Sequence, residues 1–169
     1  MSNELIAAVI TVSDRAFKDV YPDETGRQVS QLLNENHWEV IRSIILPDDQ
    51  QLIEKTLLEY CDELLIPLVL TAGGTGFSPR DVTPDATRAV IERETPGLVV
   101  AMIHDNLPKT AHAMLSRQMA GIRKKSLIVN LPGSPKGAVE DLGVILPALP
   151  HAISLIRSDP DAEKGHRSV

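Results

Sequence analysis

The chain has 169 residues, a hydrophobic fraction of 43% and a formal net charge of −6. This length suits one domain with a sizeable core, and the acidic balance argues against general affinity for nucleic acid or anionic membranes. No basic region precedes the first apolar run, and no apolar segment is expected to reach the ~20 residues that cross a bilayer. We therefore expect a cytoplasmic protein that binds neither nucleic acid nor membrane. The single cysteine, Cys61, excludes an internal disulfide, and its apolar surroundings predict an inert core thiol.

The first half of the chain alternates between predicted strands and helices. A nearly continuous β-branched run predicts a buried strand over residues 6–12, and apolar residues at helical spacing follow over residues 26–36. Residues 40–45 predict a second strand. Asp48, with Gln51 three residues later as in a capping box, predicts the start of the next helix. Residues 67–72 are the third predicted strand.

The second half continues the alternation. Thr83 is a predicted N-cap, with Pro84 at the first position of a helix that extends over residues 86–92. Pro96 breaks that helix, and residues 98–104 predict another. A fourth strand over residues 127–130 precedes a helix capped by Ser134, near residues 138–146, and a last helix over residues 147–156. The alternation predicts an α/β fold with three α/β/α layers and a mostly parallel central sheet. We expect one domain over residues 1–158 and a flexible tail over residues 159–169.

Four polar clusters each follow directly after a predicted strand. The carboxyl ends of parallel strands share one edge of the sheet, and ligands bind there in open α/β folds. Clusters that are distant in sequence can therefore converge on one site, and helix starts at this edge favour phosphate. The clusters are Ser13-Asp14-Arg15, Pro47-Asp48-Asp49, Gly73 to Asp81, and Asn130-Leu131-Pro132-Gly133-Ser134.

The third cluster, Gly73-Gly74-Thr75-Gly76 followed by Asp81, is the most informative. Glycines let backbone N–H groups come close to phosphate oxygens. The carboxylate of Asp81 repels a phosphate, so it points to a metal between them, in first place Mg²⁺. Two plainer alternatives stand beside this interpretation: the glycines only build a turn, and Asp48 in the second cluster only caps a helix.

Motifs of several other enzyme classes are missing from the sequence. Phe77 follows Gly76 where a P-loop requires lysine, and no GxGxxG follows the first strand. The five histidines have no zinc-ligand spacing, and no GxSxG elbow is present.

The chain resembles the molybdopterin adenylyltransferases of the molybdenum-cofactor biosynthesis family. The resemblance is carried by TVSDRA, LPDD, TAGGTGFSPRDVTPDAT, MLSRQMAGIR and NLPGSPKG, which together span nearly all of the chain. It implies an α/β/α domain over residues 1–158 that binds molybdopterin and ATP. It further implies transfer of AMP from Mg²⁺-ATP to the terminal phosphate of molybdopterin, with release of pyrophosphate. A homotrimer and an insertase as a further partner are implied as well.

The resemblance assigns roles to individual residues. Asp81 and Asp48 become the catalytic carboxylates and the Mg²⁺ ligands, with Asp14 as an alternative to Asp48. Arg80, Arg117 and Lys136 are candidates for neutralising phosphates, and Lys136 could equally be a solvated surface lysine. The substrate-binding residues that the resemblance implies are Ser13, Asp14, Gly73, Gly74, Thr75, Gly76, Arg80, Ser116, Arg117, Pro132, Gly133 and Ser134.

One departure from the family concerns Ile103, near which many relatives have an arginine. If that arginine contacts substrate, Arg117 or Arg123 has to replace it here. Two other functions compete with adenylylation: a non-catalytic molybdopterin-binding carrier, and a nucleotide hydrolase that uses the same glycine-rich loop.

Overall fold

A six-stranded sheet runs through the computed structural model, which describes residues 5–158. The strands are β1 (Ile6–Val12), β2 (Glu39–Leu46), β3 (Leu68–Ala72), β4 (Arg93–Glu94), β5 (Ala120–Arg123) and β6 (Ser126–Leu131). Their order across the sheet is β2-β1-β3-β6-β5-β4; the first four strands are parallel to one another, and β5 is antiparallel to both of its neighbours, β6 and β4. The predicted mostly parallel sheet is therefore confirmed.

Helices cover both faces of the sheet. Successive side chains of a strand point to opposite faces, so Ala7 and Val9 of β1 enter one core while Ala8 and Ile10 enter the other. The first core is closed by α2, α5, α6 and α7, and the second by α3 and α4, which confirms the three-layer prediction. The helices are α1 (Asp14–Phe17), α2 (Glu24–Glu35), α3 (Gln50–Leu58), α4 (Thr83–Val90), α5 (Pro96–Asn106), α6 (Pro135–Ile145) and α7 (Leu149–Ile156).

Two predicted N-caps are wrong, because a neighbouring residue occupies the N-cap position in each helix. The N-cap of α3 is Asp49, whose side chain accepts from the Leu52 N–H at 3.0 Å, and not Asp48. The N-cap position of α4 is Val82, so Thr83 lies inside the helix and makes no capping bond. The predicted cap at Ser134 is confirmed, because its hydroxyl accepts from the Gly137 N–H at 3.1 Å.

Two further expectations concern the end of α4 and the C-terminal tail. The helix predicted over residues 86–92 stops at Val90, because the Glu92 N–H donates to the Ile122 carbonyl and the chain enters β4. The tail expected over residues 159–169 lies outside the described residues.

The helical run Pro135–Ile156 has 22 residues and a mean hydropathy of 1.4, so by length and composition alone it could cross a membrane. The expectation that no apolar segment reaches this length is therefore wrong. Leu142, Ile145, Leu149 and Ile153 along this run are buried in the core. Packing against the sheet thus accounts for its apolar character.

Candidate functional site

Strand register brings the four polar clusters to one edge of the sheet. Val12 at the end of β1 pairs with Leu46 at the end of β2. Ala72 at the end of β3 pairs with Leu131 at the end of β6. Because these four ends lie side by side, the loops that follow them converge, as the sequence analysis predicts.

The glycine loop, residues 73–81, adopts a backbone that only its glycines permit. Gly73 has φ +112° and Gly74 has φ +61°. A Cβ on Gly73 would lie 2.2 Å from the Val12 carbonyl oxygen, so no side chain fits there. Within residues 5–158, the N–H groups of Gly74, Thr75 and Gly76 have no hydrogen-bond acceptor. The loop therefore presents successive backbone donors that an anion could use.

Asp48 and Asp14 hold their two loops together by reciprocal hydrogen bonds. The Asp14 N–H donates to Asp48 Oδ2 and the Asp48 N–H donates to Asp14 Oδ1, each at 3.0 Å. The other Asp14 oxygen forms a salt bridge with Arg80. Asp81 Oδ2 accepts from the Ser78 N–H at 2.9 Å, which closes the end of the glycine loop.

Asp48 and Asp81 line one cavity of about 490 Å³, here called the acidic cavity. Gly73, Gly74 and Gly133 also line it. Both carboxylates are predicted from the sequence to hold one metal ion, and a shared cavity is the arrangement that such a site requires.

The pKa values of Asp14 and Asp48 shift in opposite directions. The hydrogen bond from Arg80, followed by the one from the Asp48 N–H, lowers the pKa of Asp14. Burial, and then the negative charges of Asp14 and Asp81, raise the pKa of Asp48. A cation bound at Asp48 would relieve both causes of this upward shift.

The donor set of the acidic cavity fits Mg²⁺ bound together with a phosphorylated substrate. Mg²⁺ is commonly held by one or two carboxylates, with water and substrate phosphates completing its shell. Asp48 and Asp81 supply two carboxylates on one cavity. No group of three His, Cys, Asp or Glu side chains in residues 5–158 could hold a metal without such help. The alternative ligand, Asp14, already binds Arg80.

Arg117 fixes the glycine loop through hydrogen bonds to its backbone carbonyls. Its Nε donates to the Gly76 carbonyl at 2.9 Å, and a terminal nitrogen donates to the Asp81 carbonyl. Its guanidinium also binds both oxygens of Asp85, at 3.1 and 3.0 Å. With these donors engaged, Arg117 supports the loop and is a poor candidate for direct phosphate contact.

A second cavity, of about 460 Å³, lies on the other side of the glycine loop. We call it the neighbouring cavity. The loops that follow β3 and β6 contribute to both: Gly74 and Gly133 line the acidic cavity, while Thr75 and Ser134 line the neighbouring one. The two cavities therefore adjoin across these loops.

The structure places the remaining predicted residues as follows. Ser13 lines the acidic cavity and caps α1 by accepting from the Ala16 N–H. Asp14 and Arg80 stand beside the acidic cavity without lining it. The predicted residues that line the neighbouring cavity are Thr75, Gly76, Ser116, Pro132, Ser134 and Lys136.

The arginine expected to compensate for Ile103 is not found in the neighbouring cavity, which Ile103 lines. Arg123 is wrong for this role, because it pairs with Asp62 at the opposite end of β6. The lysines that line the cavity are Lys109 and Lys136. Lys109 already pairs with Asp105 at 2.6 Å, whereas Lys136 stands 4.0 Å from Glu140, so Lys136 is the less engaged of the two cations that could take over a contact with an anion.

A buried polar network behind the neighbouring cavity was not predicted from the sequence. Burial raises the pKa of Asp141, whose carboxylate accepts from the side-chain amides of Asn106 and Gln118. Gln118 also donates to the Asn130 carbonyl at 3.0 Å. The partners lie on separate elements, so no local pattern could have revealed the network.

Comparisons with known proteins show the family of this chain. A family model described as "Probable molybdopterin binding domain" matches residues 8–151. The molybdopterin adenylyltransferase of Helicobacter pylori strain J99 is 43% identical in an alignment of length 155 that covers 88% of this chain and 85% of that enzyme. Gephyrin of Dictyostelium discoideum is 41% identical in an alignment of length 177 that covers 98% of this chain and 24% of gephyrin. The chain thus spans about a quarter of that relative.

The fold is shared with solved structures. The molybdopterin biosynthesis enzyme MoaB from Thermus thermophilus superimposes with a TM-score of 0.87 at 44% identity. The match covers 92% of this chain and 98% of that one.

Proposed function

Because the chain belongs to the family of molybdopterin-binding domains, we propose that it is a molybdopterin adenylyltransferase of molybdenum-cofactor biosynthesis. It transfers AMP from ATP to the terminal phosphate of molybdopterin and releases pyrophosphate. The observation that carries this proposal is the pair of cavities that adjoin across a loop with unpaired N–H groups. Two phosphorylated substrates that react with each other need two adjoining sites and donors for their phosphates at the junction.

The acidic cavity is the proposed site of the ATP phosphates. Asp48 and Asp81 would hold Mg²⁺ there, and the cation would neutralise charge on the triphosphate. The N–H groups of Gly74, Thr75 and Gly76 donate to phosphate oxygens. The neighbouring cavity is the proposed molybdopterin site, where Lys109 and Lys136 offer positive charge to a bound anion.

The chemistry requires positioning and charge compensation more than proton transfer. A phosphate monoester has a second pKa near 6, so the attacking phosphate is mostly deprotonated at neutral pH. A general base is therefore unnecessary. The main barrier is repulsion between two polyanions, and fixed donors and carboxylate-held cations lower it.

The resemblance also supports proposals about the protein's setting. We propose that residues 1–158 act as one domain, that the chain assembles as a homotrimer in the cytoplasm, and that an insertase takes up its product. Gel filtration with light scattering tests the trimer: a mass of one or two chains would contradict it.

Pyrophosphate release from Mg²⁺-ATP, measured with and without molybdopterin, tests the function. We expect release only when both substrates are present. Molybdopterin binding without pyrophosphate release would instead indicate a carrier. ATP breakdown that does not need molybdopterin would indicate a hydrolase.

Asp81→Asn tests the role of this carboxylate in the same assay. We expect pyrophosphate release to disappear while molybdopterin binding stays close to normal, because Asp81 lines the acidic cavity and not the neighbouring one. Near-normal turnover by this variant would rule out a metal-holding role for Asp81.

A further inference from the structure

The hydroxyl of Thr83 is buried and has no hydrogen-bond partner. Thr83 is 0% exposed, and its Oγ1 is one of four buried side-chain oxygens without a partner in residues 5–158. Its main-chain N–H is satisfied by the Gly74 carbonyl at 3.1 Å. A buried hydroxyl that forms no hydrogen bond destabilises the fold, so its presence calls for an explanation.

Capping of α4 does not explain this hydroxyl. Thr83 lies inside the helix, and no side-chain capping bond is formed at this end. Packing alone does not require it either, because valine has the same shape without the polar atom. The other three unpartnered oxygens belong to Ser30, Thr95 and Ser126, which lie on α2, before α5 and at the start of β6. Thr83 is the one that touches the glycine loop.

The hydroxyl borders the same point as a carboxylate oxygen of the acidic cavity. A Cβ on Gly74 would lie 2.5 Å from Thr83 Oγ1 and 3.1 Å from Asp48 Oδ1. Asp48 Oδ2 already accepts from the Asp14 N–H, whereas Oδ1 has no donor among residues 5–158. A donor without an acceptor and an acceptor without a donor therefore border the same space beside Gly74.

We propose that Thr83 is a positioning residue that donates to Asp48 Oδ1 when Mg²⁺-ATP occupies the acidic cavity. Rotation of the two side chains into this space, which a Cβ on Gly74 would fill, closes the gap. The bond then fixes the rotamer of Asp48 so that the carboxylate faces the cation. The hydroxyl is thus unsatisfied in the ligand-free chain and satisfied in the complex. This inference rests on the proposed function of the acidic cavity.

Thr83→Val tests the proposal because stability and ligand affinity should change in opposite directions. Removing an unsatisfied hydroxyl leaves the thermal midpoint of the ligand-free protein unchanged or higher. Affinity for Mg²⁺-ATP, measured by calorimetry without molybdopterin, should fall about tenfold or more, as expected for a lost hydrogen bond to a charged group. Thr83→Ser, which keeps the hydroxyl, should restore most of the affinity.

Thr95→Val is the matched control, since it removes another buried, unpartnered hydroxyl, from a residue that lines neither cavity. It should leave Mg²⁺-ATP affinity unchanged. A Thr83→Val variant that loses stability but keeps its affinity would overturn the proposal, and so would a serine variant that behaves like valine.

A double-mutant cycle with Asp48→Ala, which removes the acceptor oxygen, tests whether Thr83 acts through Asp48. In the Asp48→Ala background, Thr83→Val should weaken Mg²⁺-ATP binding by less than half of its effect in the unmodified chain. An undiminished effect would overturn the role through Asp48. If the unmodified chain binds Mg²⁺-ATP but releases no pyrophosphate with molybdopterin, the proposed function fails while the binding cycle still decides the role of Thr83. Failure to bind Mg²⁺-ATP would overturn both.

Discussion

At the residue scale, Asp48 and Asp49, which follow β2, have different roles. Asp49 caps α3 by accepting from the Leu52 N–H. Asp48 turns toward the acidic cavity and binds the Asp14 N–H. The capping-box spacing from Asp48 to Gln51 indicates the wrong aspartate, because the side chain that accepts the capping hydrogen bond is that of Asp49. The structure separates the two, so their variants can be compared directly.

Asp49→Ala should affect stability alone. Loss of the cap should cost about 1 kcal/mol, equivalent to a fall of roughly 2–4 °C in the thermal midpoint. Pyrophosphate release should stay near normal below the transition, since Asp49 does not line the acidic cavity. Loss of activity with unchanged stability would contradict this division of tasks.

Asp48→Asn should have the opposite profile, with activity lost and stability retained or increased. The folded-state pKa of Asp48 is raised, so its contribution to stability is full below the unfolded-state pKa and is lost as the pH rises through the folded-state value. The neutral asparagine avoids this loss. We expect the variant to exceed the unmodified chain in urea midpoint at pH 7, and the difference to shrink as the pH falls toward ~4. A growing difference at low pH would show that the sign is wrong.

At the scale of elements, long apolar runs could be predicted and short strands could not. β1, β3 and β6 are buried throughout or nearly so and stand out as apolar sequences. β4 has only two residues, both exposed, and depends on pairing with β5. Hydrogen bonds to residues that are distant in sequence create such a strand, so local composition contains no sign of it.

The glycine loop is the element whose backbone is least tolerant of change. Gly73→Ala would place a Cβ 2.2 Å from the Val12 carbonyl at a positive φ, so we expect the thermal midpoint to fall by several degrees and pyrophosphate release to collapse. Gly143→Ala is the control: it lies in α6 with open space around it and should gain roughly 0.5–1 kcal/mol. Thermal unfolding of both variants checks the contrast, and a fully stable Gly73→Ala protein would contradict it.

One part of the candidate site could be predicted from the sequence and another part could not. Loops after parallel strands meet at one edge, so the sequence positions of Asp48 and Asp81 are sufficient to place them together. The support from Arg117 could not be predicted, because its partners Gly76 and Asp85 lie 41 and 32 residues away. Its charge favours contact with phosphate, but in the folded chain its donors serve carbonyls and a carboxylate.

At the scale of the whole molecule, Cys61 offers a probe of global unfolding. It is fully buried in the core between the sheet and α3, and burial raises the pKa of its thiol to about 11. A thiol reagent should therefore react only with opened molecules. Mg²⁺-ATP should slow the labelling in proportion to its saturation of the native state. Rapid labelling that is insensitive to ligand would indicate local opening at Cys61 instead.

The anchoring of residues 76, 81 and 85 by one guanidinium has a kinetic consequence. A loop that is fixed before the nucleotide binds loses little conformational entropy on binding. Association should then proceed in a single exponential phase, with an observed rate that rises linearly with nucleotide concentration and no plateau from a slow rearrangement. Arg117→Leu would remove these hydrogen bonds and allow the loop to rearrange, so the observed rate should then reach a plateau at high nucleotide concentration.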